Sequence, residues 1–305
     1  MTKRQMQERK AMMTPAVRRK KRKDEIKIAI GPFRNLSDYK VCEDIQREVW
    51  HCQDIDIVPV PLLLAIDRTG GIVLGAYNSL GELIGFVLSI LGSSDKKPIQ
   101  HSFMLAVRVA YRNFDVGFRL KMAQRKELLK RKIARVTSSF DPMQPLNAYF
   151  TLGKLGARAN AYEENFCGET TSTLDRGLPT DRILTHWDLE AGPVVSRLEA
   201  GPPRYDFRKE LKQRQVINHM VEAAPGIMGS SPVKLNCTAD QFLFEIPYNL
   251  PEIRTRDLGI ALEWQGKMRQ VFRHYFKKNY VAADFWVAEQ DGHMRSFYLL
   301  DKNRP

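Results

Sequence analysis

The sequence predicts an α/β protein made of two α/β pieces in succession, and three observations carry that prediction. In 101–124, HSFMLAVRVAYRNFDVGFRLKMAQ, alternating residues up to Val107 pass through a polar turn at 112–117. Apolar positions then move to helical spacing at Leu120, Met122, Ala123, Leu128 and Leu129. Over 25–189, period-two and period-3.6 segments succeed one another in the order β-α-α-β-β-β-α-β-α-β-β. After Gly192-Pro193 and Gly201-Pro202-Pro203 the texture changes, and the last third reads β-α-β-β.

In chain order, Ile26, Ile28 and Ile30 alternate as in a half-buried strand that Gly31-Pro32 ends. The run Leu36-Ser37-Asp38 supplies an N-cap, and Val41, Ile45, Val49 and Trp50 make 39–52 an amphipathic helix. Pro59 and Pro61 bracket a connection to a further helical turn at 62–66. Gly70-Gly71 then opens a hairpin, IVLGAYN and ELIGFVLSILG, turned at Ser79-Leu80-Gly81. Beyond the central strand and helix, KIARVTSSF is a strand ended by Asp141-Pro142, and 146–156 is a short helix stopped by glycine. Strands at 158–165 and 182–189 flank a loop rich in Gly, Thr and Asp.

In the last third, FRKELKQRQVINHMVE (207–222) reads as a charged helix and 225–232 as a loop. LFEIP reads as a strand, and 257–278 as a long amphipathic helix whose Trp264, Phe272, Tyr275 and Phe276 share a core-facing side. YVAADFWVAEQ and SFYLLDK are two strands around an Asp291-Gly292 turn. A piece of this size cannot bury both faces of its own sheet, so it is expected to pack on the preceding one. The resulting organisation is a basic, disordered tail at 1–24, an α/β domain at 25–190, a linker with a helix at 191–235, and an α/β subdomain at 236–305.

At 305 residues, with 43% hydrophobic and 27% charged residues, the chain has the composition of a soluble globular protein with room for two modest cores. No apolar run is long enough to span a bilayer and no apolar signal core succeeds the basic start, so a cytoplasmic location is expected. Cys42, Cys52, Cys167 and Cys237 form no C-x-x-C pair and have no histidine cluster nearby, so no metal site and no disulfide framework is expected. Of the net charge of +13, residues 1–27 carry +8, eleven Lys or Arg against three acids. Such a segment, residues 3–27 in particular, is suited to weak contact with nucleic acid or another anionic partner, or is a solvated extension.

A strand that feeds a helix through such a turn can hold phosphate, because the first N–H groups of the helix lack internal partners and carry its positive dipole end. Gly117, without a Cβ, permits close approach. Val107, Arg112 and Gly117, spaced V-x-x-x-x-R-x-x-x-x-G, resemble the coenzyme A pyrophosphate loop of the GNAT (N-acetyltransferase) superfamily. Asn147 followed by Lys154-Leu155-Gly156 is similar to its second cofactor motif. Longer phrases, among them GGIVLGAYNSLGELIGF, RNFDVGFRLKMAQR and FDPMQPLNAYFTLGKLGA, resemble one predicted-acetyltransferase branch that carries a C-terminal extension. The resemblance departs from the superfamily pattern twice. Asp115 stands where the first glycine is usual, and its carboxylate either repels a pyrophosphate or caps the helix. Leu152 stands where a tyrosine usually protonates the leaving thiolate.

The resemblance implies a GNAT fold, with a mixed, mostly antiparallel central sheet flanked by helices, and makes 236–305 similar to half of such a fold. It also implies an N-acyltransferase that moves an acyl group from acetyl-CoA or another acyl-CoA to the amine of a small molecule or peptide, without a metal. The cofactor would be held by Ala106, Val107, Val109, Arg112, Asn113, Phe114, Asp115, Val116, Gly117, Phe118 and Asn147. An N–H of Ala106 or Val107 would polarise the thioester carbonyl. Candidate proton carriers are His101, Asp141 and Glu48 as bases, and Tyr149 or Tyr162 as the acid. Each has a structural alternative: a strand-edge residue, a helix cap, a surface charge or a packing ring. Two other readings stand beside catalysis: a non-catalytic protein that binds (acyl-)CoA or a partner, and association with RNA or the ribosome through the basic tail.

Overall fold

The computed structural model describes residues 27–173, 177–203, 205–290 and 293–302. The expected tail at 1–24 and the Asp291-Gly292 turn lie outside the described residues. The fold is mixed α/β, and Cα packing divides it into two compact units, one of residues up to 91 with 104–128, the other of 92–103 with 129 onward.

In the first unit, strand β1 (Ala29–Pro32) pairs antiparallel with β2 (Ile72–Tyr77), which pairs antiparallel with β3 (Leu83–Ser94). Helices α1 (Leu36–Trp50) and α2 (Val60–Arg68) place Tyr39, Cys42, Ile45, Leu63 and Ile66 in one core cluster with Val73, Phe86, Leu88 and Ala106. Asn35 caps α1 by accepting the Asp38 N–H, and Pro61 sits in the first turn of α2, where its missing N–H costs nothing. A separate cluster packs Val116 and Leu120 of α3 (Val116–Lys130) against Ala76, Ile84 and Val87. Helices therefore cover the sheet of this unit through two independent cores. Strand β4 (Lys97–Val107) starts four residues earlier than the alternation from His101 indicates. Asp95 and Lys96, with φ of 51° and 62°, make a tight two-residue turn that no glycine announces.

In the second unit, β4 pairs parallel with β5 (Arg135–Phe140) at Gln100–Val136 and His101–Thr137. Strand β5 pairs antiparallel with β7 (Arg182–Asp188), and β7 with β6 (Arg158–Glu163). Between β5 and β6 lies α4 (Pro145–Ala148), which continues as a π-helical turn over Tyr149–Lys154 and ends at Gly156, φ +74°. The last third joins this sheet directly: β12 (Tyr280–Gln290) meets β6 at Ala282–Ala159, and β13 (His293–Lys302) and β11 (Gln241–Pro247) continue antiparallel. One face is covered by α8 (Leu258–Phe276), whose Trp264, Met268, Val271, Phe272 and Tyr275 are all at most 1% exposed, while Phe276 is partly buried. On the other face Trp286 and Phe297 pack under Tyr205 and Phe207.

The last third differs from expectation at four places. Ahead of the charged helix the linker contains another, α5 (Gly192–Ala200), with Pro193 in its first turn. The charged helix from 207 stops as α6 (Phe207–Gln213), because Ile217 is fully buried, its N–H donates to Leu243 O at 2.9 Å, and the chain there is extended as β8 (Gln215–Val216). Beyond it the chain forms a hairpin, β9 (Met220–Ala224) and β10 (Ile227–Ser230), turned by Gly226 at φ +67° in place of a loop. A further short helix, α7 (Leu250–Arg256), precedes α8. Among the described residues no single helix is long and apolar enough to cross a membrane.

Candidate functional site

In the first unit the end of β4 is drawn tightly against β3. Arg108 N donates to Ile84 O at 2.9 Å, and a Cβ on Gly85 would lie 2.7 Å from Ala106 O, so glycine is required there. Ala106 is buried, Val107 half-buried, and a short 3-10 turn (Val109–Tyr111) leaves Val109 exposed. Glu48, on α1, reaches this point: its carboxylate pairs with the Arg108 guanidinium and accepts the Val109 N–H at 3.2 Å.

The turn between Arg112 and Val116 adopts a conformation costly for most residues. Asn113 and Asp115 have φ of 68° and 58°. This is the left-handed region, open without penalty to glycine and tolerated by Asn and Asp. The position where the superfamily pattern places a glycine is thus one whose backbone favours glycine, and this chain fills it with one of the few side chains that accept it. Arg112 is exposed, its Nε 3.4 Å from Val107 O. Phe114 tucks into the core with Val116 and Leu120 and fixes the turn on the unit. Helix α3 then begins, with Arg119 N donating to Asp115 O at 2.9 Å. The N–H groups of Val116 and Gly117 precede that first bond and have no helical carbonyl to reach. Gly117 and Phe118 are half-buried, and Asp115 is exposed.

The remaining candidates lie in the second unit. His101 Nδ1 is 3.0 Å from Thr137 Oγ1 across the parallel pair. Asp141 receives the Met143 N–H at 2.8 Å and Gln144 Nε2 at 3.3 Å, the pattern of a turn-capping carboxylate ahead of Pro145. Asn147 is exposed on the single turn of α4. Tyr149, on the π-helical turn, is 36% exposed, and burial, then the nearby Asp284 carboxylate, raise its pKa. Tyr162 donates to Asp181 Oδ2 at 2.6 Å and stacks on Phe272, and burial followed by that hydrogen bond pushes its pKa far above the ordinary phenol value. Its proton is firmly held. Leu152 is fully buried in the core with Ala148 and Phe285. The structure thus brings Glu48 to the end of β4 in the first unit and places His101, Asp141, Asn147, Tyr149 and Tyr162 in the second, where the Asp141 carboxylate acts electrostatically on the Tyr162 hydroxyl.

Several buried charges escaped the sequence reading. Asp38 is pushed up by burial, but hydrogen bonds from Arg34 and from the Tyr77 hydroxyl at 2.9 Å outweigh this and hold its pKa below the carboxylate range. Asp284 is clasped by Arg197 at 2.9 and 3.1 Å and by the Tyr205 hydroxyl at 2.6 Å. Lys121 lies in the buried stripe of α3, and burial alone pushes its pKa down to about 7. Only Lys121 had a sequence signal, its place four residues after Gly117 and three before Gln124 on the core-facing side. Among the described residues no group of three or more His, Cys, Asp or Glu is placed to hold a metal ion.

Comparison with known proteins gives likeness to solved N-acetyltransferases over about half of the chain. Arabidopsis thaliana Naa50, solved with the bisubstrate analogue CoA-Ac-MVNAL, is 12% identical, with 52% of this chain and 97% of that one covered and a TM-score of 0.42. The ribosomal-protein-S18-alanine N-acetyltransferase from Escherichia coli is 14% identical over 54% of this chain and 96% of its own, at a TM-score of 0.43. An aminoglycoside 6'-acetyltransferase type Ii is 18% identical over 53% and 98%, at 0.41. No family model and no curated protein sequence matches the chain.

Proposed function

We propose that this chain is an acyl-CoA-dependent N-acyltransferase of the GNAT type, carrying an acyl group from a coenzyme A thioester to an amine. The observation that supports it most is the turn between β4 and α3. Two left-handed residues, Asn113 and Asp115, lead into a helix start where the Val116 and Gly117 N–H groups precede the first helical bond, with Arg112 exposed beside it. That arrangement suits a pyrophosphate.

In the reaction the amine nitrogen attacks the thioester carbonyl, the C–N bond forms, the C–S bond breaks, and the nitrogen loses a proton as the sulfur gains one. The resemblance gives carbonyl polarisation to the main chain at Ala106 or Val107. Glu48 is the candidate base nearest that strand end within the first unit. Its bonds to Arg108 and Val109 hold it in one orientation. Between the two tyrosines, Tyr149 is the better acid candidate, because its hydroxyl is not committed to a carboxylate as that of Tyr162 is.

A second reading, binding of (acyl-)CoA without turnover, is favoured by one observation: the position usual for the acid is the buried Leu152. Titration calorimetry with acetyl-CoA, coenzyme A and longer acyl-CoAs, repeated for Gly117→Glu, tests what both readings share. Binding that the variant loses supports them, and no binding by the intact chain overturns both. Release of free thiol in the presence of an amine panel then separates the two.

A further inference from the structure

A row of cations runs along the last two turns of helix α8 and on past its end. Arg269, Arg273 and Lys277 recur every four residues, with Gln270, His274 and Lys278 in the adjacent row. Together with Glu164 these residues line a cavity of about 490 Å³. Its inner edge is neutralised: Arg269 holds the buried Asp181 at 2.6 and 2.8 Å, and Arg273 pairs with Glu164. Its outer edge is not. Lys277 and Lys278 are exposed, and among the described residues their ammonium groups have no ion-pair partner.

We propose that this row is a docking face for a nucleic-acid phosphate backbone, separate from the basic N-terminal segment. Charge complementarity argues for it: four Lys or Arg and a histidine line the cavity against one carboxylate, on a chain that keeps a net charge of +5 (13 − 8) outside residues 1–27. Cations at a helix C-terminus are also favoured by the dipole, but that effect fades within the last turn, and Arg269 lies two turns back. From Arg269 to Lys277 the row extends about 12 Å at about 1.5 Å per residue. One strand presents a phosphate every 3.4 Å or so along its axis, so the unpaired end of the row, Lys277 and Lys278, meets about two. Gln270, exposed in the adjacent row, adds an amide donor suited to phosphate or sugar oxygens. A lipid surface fits less well, because the row has no exposed large apolar side chain to insert; Leu258 and Leu262, the exposed apolar residues of α8, are at its other end.

The test is fluorescence anisotropy of a labelled 20-nucleotide RNA titrated with the full chain between 50 and 200 mM salt. For Lys277→Glu/Lys278→Glu the expected result is at least tenfold weaker binding at 100 mM salt. The slope of log affinity on log salt should become shallower by about 1.5, two contacts at about 0.7 to 0.9 each. Lys209→Glu/Lys212→Glu, the same charge change on exposed α6, should cost less than threefold. Circular dichroism monitors folding, and the neutral pair Lys277→Gln/Lys278→Gln, expected to lose about half as much on a logarithmic scale, replaces the reversed pair if that misfolds. Equal losses at α8 and α6 overturn the proposal. So does a loss confined to Lys20→Glu/Lys21→Glu, or binding to phosphatidylserine vesicles with none to RNA.

Discussion

Lys121 offers the sharpest test of the physical reading of the first unit. Its side chain is enclosed in α3, 5% exposed, with Nζ 2.5 Å from Gln124 Oε1. Burial lowers its pKa from 10.5 to about 7. The unfolded chain therefore binds one more proton than the folded one between about pH 7 and 10.5, and in that window stability rises with pH. At about 1.36 kcal/mol per unit, the difference of about 3.5 units amounts to about 5 kcal/mol, carried in full below pH 7 and gone above 10.5. Lys121→Met keeps the volume and removes the charge, at a cost of about 1–2 kcal/mol for the Gln124 oxygen left behind. The variant should be more stable than the parent by about 2–4 kcal/mol at pH 7, and the gap should close by about 1.4 kcal/mol per unit as pH rises. Urea denaturation of both proteins at pH 7, 8 and 9 reads this directly. Parallel stability curves, or a variant weaker than the parent at pH 7, would refute the claim that Lys121 is buried at the expense of its charge.

Arg197→Gln strips the buried Asp284 of its bidentate partner, leaving only the Tyr205 hydroxyl and the Phe285 N–H; a loss of about 3–5 kcal/mol by chemical denaturation is expected. Gly85→Val sets a Cβ 2.7 Å from Ala106 O and should cost about 2 kcal/mol or more, with a smaller response if β3 and β4 part easily. Asp115→Gly relieves a left-handed backbone at φ 58° and removes a carboxylate from the turn, so calorimetry should show acetyl-CoA binding at least as tight as in the parent; weaker binding would mean that the aspartate, as a cap, is what shapes the site. If the chain turns over, Tyr149→Phe should lower kcat at least tenfold with little change in KM, whereas Tyr162→Phe should lower the melting temperature by removing one donor to the buried Asp181, which Arg269 still holds, and leave the pH profile of kcat unchanged.

The elements of 27–189 were legible because each is announced locally. Helix α1 shows its apolar stripe through Ile45, although it starts at Leu36 under an Asn35 cap and not after the expected Leu36-Ser37-Asp38 cap, and the junction of β4 with α3 falls at Val116 because the period changes there. The reading failed where a tertiary partner overrides a local pattern. FRKELKQRQ favours a helix, yet Ile217 contributes more by filling the core and bonding Leu243 O than by extending that helix, so the chain turns extended at Gln215. The two-residue turn at Asp95-Lys96 was missed for the converse reason: left-handed backbone is readable when glycine marks it and hidden when a larger residue bears the strain.

The same asymmetry governs the site. Asp115 departs in its side chain from the glycine of the pattern the chain resembles, while its backbone, at φ 58°, is in the region glycine enters freely. The proton carriers were the least legible part, since an acid or base is defined by what surrounds it. Asp181, which fixes the Tyr162 proton, is itself fixed by Arg269, 88 positions along the chain, and no spacing rule links the two. Glu48 likewise becomes a candidate with a stated geometry only through Arg108, 60 positions away. Residues that act through local backbone can be read from sequence, and residues whose chemistry is set by a distant charge cannot. The β4–α3 turn therefore carries the functional reading further than any of the titratable side chains does.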